Sequence, residues 1–161
     1  MRILGIDPGI ARVGWAVVLT HTPEPVALSF GCITTEKENK PETRLRQIHE
    51  AVTLLVTKFH PDCMSVEDLF FATNAKTAIG VGQSRGVILL AAAMAKIPVV
   101  SYTPLAVKRA ITGSGTADKK QVAAMIVRIL KLRHAPRLDD TADALAIAMT
   151  HAYSYKMKER I

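Results

Sequence analysis

The chain has 161 residues, 49% of them hydrophobic and 22% charged, which is enough for one domain with a real core and short for two. Its 21 Lys and Arg against 14 Asp and Glu give a formal charge of +7, which favours a polyanionic partner or surface without naming one. Composition and the lack of a fixed period exclude disorder and a solenoid. No apolar run approaches the roughly 20 residues of a membrane span, and Asp7-Pro8 interrupts any leader-like opening, so a soluble cytoplasmic protein is expected.

Residues 3–6 form a short apolar run ended by Asp7-Pro8-Gly9, and 13–19 form a second β-rich run, so the pair reads as a hairpin around a Pro-Gly turn. A third strand follows at 26–34. From 41 to 60 the period changes: Leu45, Ile48, Val52, Leu55 and Phe59 recur at three and four, marking one face of a helix that Pro61 stops. Residues 63–67 are too few for a helix and read as a buried strand. A long helix is expected over 73–96, with Gly80, Gly82, Gly86 and an alanine run that suit close backbone approach. The fifth strand is 98–102, and Thr103-Pro104 caps and opens a short helix that Gly113-Ser114-Gly115 breaks.

A helix over 118–132 carries Val122, Met125, Ile126, Ile129 and Leu130 on one face, and Asp139 or Asp140 opens the last helix, running to about Tyr153. Cys32 and Cys63 have no Cys-x-x-Cys partner and are expected as buried free thiols. The order βββαβαβααα implies a five-stranded mixed sheet, hairpins first and parallel crossovers after, flanked by helices. This is the α/β order of the ribonuclease-H-like architecture.

Four acids stand out against that frame. Asp7 closes the first strand, where a turn aspartate beside Pro-Gly is the plain alternative. Glu67 also ends a strand, and if the two strands lie parallel and adjacent their carboxylates converge at the carboxyl edge of the sheet, where α/β folds place ligands. Asp140 and Asp143, three apart at a helix start, share one face; capping explains Asp139 and Asp140 but explains Asp143 less well, because an apolar stretch of helix follows it. Acids without paired bases point to a metal, and an all-carboxylate set suits Mg²⁺ or Mn²⁺ rather than Zn²⁺. Two ions could hold a phosphodiester, activate water and stabilise the leaving oxygen.

These residues resemble a known family. Gly5-Ile6-Asp7-Pro8-Gly9 with Gly14-Trp15-Ala16, Val66-Glu67 followed by Phe70, Gly82-Gln83-Ser84-Arg85-Gly86, and Asp140-Thr141-Ala142-Asp143-Ala144-Leu145 are similar in order and spacing to RuvC Holliday junction resolvases. The resemblance runs nearly end to end. It implies that Asp7, Glu67, Asp140 and Asp143 are the metal-binding catalytic tetrad of a homodimer that nicks a four-way DNA junction symmetrically. It also implies that Phe70 works among junction bases, that Lys108 and Lys119 contact the backbone near the cut, and that the branch-migration proteins RuvA and RuvB are partners. Asp139 could compete with Asp140 in an i,i+4 pair with Asp143, but the D-x-x-D spacing favours Asp140. Asp68, next to Glu67, is expected to turn to the opposite face.

Further DNA-facing groups are read from the residues themselves. The loop from Thr112 to the Lys119-Lys120 pair offers backbone N–H groups and cations for phosphate, although it lacks a P-loop ending. Arg12 and Arg85 are further candidate cations, and Phe70, in a polar connection of an aromatic-poor chain, is a candidate for base stacking. Two rival readings share the fold or the charge: a nuclease of RNA-containing substrates with the same acids, and a DNA-binding module with structural ones. A two-domain ATPase of the actin type is disfavoured by length.

Overall fold

A computed structural model describes residues 1–20, 24–68 and 75–158. Its elements are β1 (Arg2–Asp7), β2 (Arg12–Leu19), β3 (Val26–Thr34), α1 (Pro41–Phe59), β4 (Cys63–Glu67), α2 (Ala75–Met94), β5 (Val99–Tyr102), α3 (Pro104–Thr112), α4 (Lys119–Ile129) and α5 (Asp139–Lys158). This is the expected order. The strands lie as β3-β2-β1-β4-β5, with β1, β2 and β3 antiparallel in turn and β4 and β5 joined parallel to β1.

Strand alternation divides the interior into two layers. Leu4, Ile6, Met64 and Val66 point to the face covered by α1 and α2, where they meet Ile48, Val52, Ile88 and Ala92. Ile3, Ala16, Val18 and Cys63 point the other way, against α5 and the helices α3 and α4 beyond it. Residues 144–149 of α5 are all fully buried, because this helix is sandwiched between the sheet and its neighbours; a one-sided apolar pattern is therefore absent from it.

The helix ends follow local chemistry. Pro41 opens α1, and His60 closes it with a left-handed backbone (φ 46°) whose N–H donates to Val56 O, immediately before Pro61. Thr103 caps α3 by accepting from Ala106 N, and Gly113 ends it at φ 79°. Asp118 and Gln121 form a capping box at the start of α4.

Three expectations need adjustment. Cys63 is buried but Cys32 is only half-buried, since β3 is an edge strand. The last helix continues past Tyr153 to Lys158. Of the glycines in α2, Gly80 packs against the Ile10 side chain, whereas a side chain at Gly86 would meet open space.

Candidate active site

The alternation that builds the two layers also aims the acids. Ile3, Gly5 and Asp7 share the α5 side of β1, and Cys63, Ser65 and Glu67 share the same side of β4. Because Ile6 pairs with Val66 in parallel register, Asp7 and Glu67 emerge side by side one step later, at the carboxyl edge.

The helix carrying Asp140 and Asp143 reaches that edge because two glycines let it. Gly14 is the register partner of Asp7, and a Cβ on it would lie 1.8 Å from the carbonyl oxygen of Asp140. A Cβ on Gly5 would lie 2.3 Å from Ala144 O. The start of α5 thus rests directly on the backbone of β1 and β2, with no side chain between. Asp140 is half-buried there while Asp139 is exposed, in keeping with the D-x-x-D reading.

A cleft of about 280 Å³ opens at this point, lined by Asp7, Glu67, Lys108, Lys119 and Asp143 among others. Lys119 Nζ donates to Asp143 Oδ2 at 2.8 Å, and Arg12 Nε lies 3.0 Å from Asp140 Oδ2. The second contact is an ion pair without hydrogen-bond alignment, so Asp140 Oδ2 is buried with no hydrogen-bonding partner. Among the described residues, no three of the acids stand as a ready ligand set for one ion. Two of the four are held by Arg12 and Lys119 instead.

The electrostatics of the cleft are those of crowded anions. Burial, then repulsion from Asp143, pushes Glu67 up to about 7, opposed by Lys119. Burial, then repulsion from Glu67, Asp143 and Asp140, pushes Asp7 up to about 8. Asp7 and Glu67 therefore share a site in which the first negative charge to form disfavours the second. Lys119 is raised, chiefly by its hydrogen bond to Asp143. Raised folded-state values mean that folding favours the protonated acids: their contribution to stability is full below the ordinary carboxylate range, is lost progressively as pH rises above it, and is gone by about 7 to 8. The thermal midpoint of the metal-free protein should accordingly fall between pH 5.5 and pH 8.5, by roughly 4–8 °C for a loss of about 2 kcal/mol. A midpoint that is flat or rising over that range in chelator would contradict this charge arrangement.

The structure treats the other expected site residues unevenly. Lys108 lines the cleft, while Lys120 is exposed beside it at the start of α4. Arg12 faces Asp140 rather than open solvent alone. Arg85, expected to face DNA, is turned inward: it donates to Glu67 O and to Ser101 Oγ and pairs with Asp68. Asp68 pairs with Arg85 of α2 and does not line the cleft that Glu67 lines, in line with the expected opposite orientation. Phe70 lies outside the described residues. Ser84, part of the Gly82–Gly86 stretch that carries the resemblance, receives no role from the sequence, because a hydroxyl in a helix of small residues does not show what it will meet; it is fully buried.

The model of the RuvC family, crossover junction endodeoxyribonuclease RuvC, matches residues 3–151. The chain belongs to the RuvC family. A RuvC from Brevibacillus brevis is 52% identical over 94% of this chain and 92% of its own length. One from Syntrophomonas wolfei is 46% identical over 98% of this chain and 91% of its own. Among solved structures, Thermus thermophilus RuvC in complex with Holliday junction substrate is similar at a TM-score of 0.93 and 38% identity, covering 98% of this chain and 96% of that one. The fold is thus the ribonuclease-H-like fold of RuvC, with the acid-lined cleft on its carboxyl edge. No described helix is long and apolar enough to cross a membrane.

Proposed function

We propose that this RuvC member resolves Holliday junctions, nicking two strands of like polarity symmetrically and leaving 5′-phosphate and 3′-hydroxyl ends, in homologous recombination and DNA repair. The observation that carries the reading is the meeting of Asp7, Glu67 and Asp143 in one cleft at the sheet edge, with Asp140 one helical turn before Asp143 and its charge felt by Asp7, in a chain whose likeness to a junction-bound RuvC extends over 98% of its length.

RuvC enzymes are metal-dependent nucleases, and the donor set here suits a hard divalent ion: all four groups are carboxylates, and one buried oxygen of Asp140 has no hydrogen bond. Asp7, Glu67, Asp140 and Asp143 would hold Mg²⁺, or Mn²⁺ in its place, as two ions per site. When bound, such ions polarise the phosphoryl oxygens and lower the pKa of water. The protein supplies the rest. Arg12 pairs with Asp140 and Lys119 with Asp143, which offsets part of the carboxylate charge and keeps both cations beside the cleft, where a phosphate would meet them. Lys108 and Lys119 flank the scissile phosphate, and Lys120 extends the cationic edge along the DNA backbone.

Phe70, three residues beyond the end of β4 at Glu67, is assigned to base stacking at the branch point. Phe70→Ala should reduce junction cleavage roughly 10-fold or more, the loss of one stacked base at about 1–3 kcal/mol, while leaving the metal requirement unchanged. Cleavage at the unaltered rate would remove Phe70 from the interface.

Paired cuts need two active sites, and a homodimer provides them. The outer side of α2 presents Ile79, Leu90 and Met94, each more than half exposed, as an apolar stripe suited to an isologous contact. RuvA and RuvB are the expected branch-migration partners, and the cytoplasm the expected compartment. Competition between labelled four-way junction, linear duplex and RNA–DNA hybrid tests the substrate assignment. The junction alone should be cut; hybrid cleavage would move the enzyme to RNA-containing substrates.

A further inference from the structure

Ser84 and Arg85 are consecutive on α2, and each holds a different strand end. Ser84 is fully buried, and its Oγ donates to Gly9 O at 2.9 Å, two residues beyond Asp7. Arg85 Nε donates to Glu67 O at 3.3 Å, while its Nη2 donates to Ser101 Oγ at 2.7 Å and pairs with Asp68 at 3.3 Å. Neighbouring helical residues diverge by about 100°, so a single turn of α2 can reach the ends of both β1 and β4.

Neither contact is what such residues do by default. A mid-helix serine ordinarily bonds back to its own helix, and an arginine on a helix surface ordinarily extends into water. Here both are committed to backbone carbonyls of strand-end segments. The rest of the 8–11 loop is anchored from the far side: Thr35 Oγ1 and Arg44 Nη2 donate to Ile10 O at 2.6 and 3.1 Å, and Thr35 N donates to Ala11 O at 3.0 Å. Between them these donors satisfy three consecutive loop carbonyls, and the mutually repelling acids at the strand ends cannot drive the backbone apart without breaking them.

We infer that Ser84 and Arg85 are a positioning pair that fixes the separation of Asp7 and Glu67, and so sets the affinity of this edge for its divalent ion. The inference rests on the reading of Asp7 and Glu67 as ligands. The pair acts on the backbone of the ligand-bearing segments, one shell outside the carboxylates, where loss of a supporting group commonly costs about 10–100-fold in metal affinity or activity.

The test uses the full chain with Ser84→Ala, Arg85→Lys and Arg85→Met, with Glu67→Gln as reference. Single-turnover cleavage of a synthetic four-way junction is measured across a Mg²⁺ titration, and the Mg²⁺-induced shift in thermal midpoint is followed over the same range without DNA. Each pair variant should need roughly 10-fold more Mg²⁺ for half-maximal cleavage and for half of the thermal shift. Junction affinity in chelator should stay within about 2-fold. Arg85→Lys, which keeps the charge and loses the fork, should fail to restore the wild-type Mg²⁺ response. Should Ser84→Ala not fold, the two Arg85 variants decide the matter. Wild-type Mg²⁺ dependence in folded pair variants, with Glu67→Gln inactive, overturns the positioning role alone. Wild-type cleavage by Glu67→Gln overturns the ligand reading beneath it.

Discussion

Asp7→Asn should leave a protein that binds four-way junctions and no longer cuts them, with cleavage reduced roughly 10³-fold or more. Asp7 ends β1 beside Glu67, on the face where α5 delivers Asp140 and Asp143, and it feels the charge of all three. An amide in its place keeps the shape and removes an anionic ligand, so a divalent ion loses one of its strongest contacts. Binding should be retained or strengthened, because one fewer negative charge faces the phosphates. The same substitution should stabilise the metal-free protein. With Asp7 held near 8, ionising it at pH 8.5 opposes folding, and asparagine removes that opposition. A rise in thermal midpoint of roughly 4–8 °C at pH 8.5, shrinking towards pH 5.5, is expected for a gain of about 2 kcal/mol. Surviving cleavage would take Asp7 out of the machinery, whereas lost cleavage together with lost junction binding would mean that the substitution damaged the fold.

Gly14→Ala should be strongly damaging, since among the described glycines it is the one whose added Cβ meets the nearest atom. The added Cβ would stand 1.8 Å from the Asp140 carbonyl oxygen; its position is fixed by the backbone and the atom it meets is backbone, so no side chain can swing aside. Either α5 lifts from β2 or the β1–β2 pairing distorts next to Asp7. A loss of about 3 kcal/mol or more is expected, at the upper end of overpacking effects, with a fall in thermal midpoint of roughly 6–12 °C. Cleavage should fall even at temperatures where the variant remains folded, since moving the start of α5 moves Asp140 and Asp143 together. Thermal unfolding and cleavage of the same preparation check both parts. A variant with wild-type stability would show that the contact between helix and sheet is looser than these atoms describe.

Periodicity makes most of the fold legible in the amino-acid sequence. The switch from alternation to a three-and-four repeat at Leu45, the Pro61 stop and the Thr103-Pro104 cap are local signals, and local hydrogen bonding and sterics decide them. The acids are legible for a related reason: a charge at the end of a buried strand needs a purpose, and two on adjacent parallel strands need the same one. The end of α5 is not. After Met149 the residues turn polar and the pattern fades, yet Thr150 and His151 are buried because Thr150 Oγ1 donates to Ala146 O and His151 Nδ1 hydrogen-bonds to Tyr102. The Thr150 bond is local, but the burial of His151 depends on a partner 49 residues away. Arg85 is the clearest case. As a residue type it fits a DNA-facing surface, and only the approach of β4 and β5 to α2 gives its guanidinium Glu67 O, Ser101 and Asp68 to hold. Gly14 likewise reads as a weak point in a strand until α5 is laid across it.

If these four carboxylates carry divalent ions that cut a four-way junction in pairs, the most direct measurement is a map of cleavage on a synthetic junction, end-labelled strand by strand, in Mg²⁺ and in chelator. Mg²⁺-dependent nicks are expected at symmetrical positions in two strands of like polarity, with ends that DNA ligase can seal. Cleavage that persists in chelator, or single unpaired nicks spread over all four arms, would contradict that assignment.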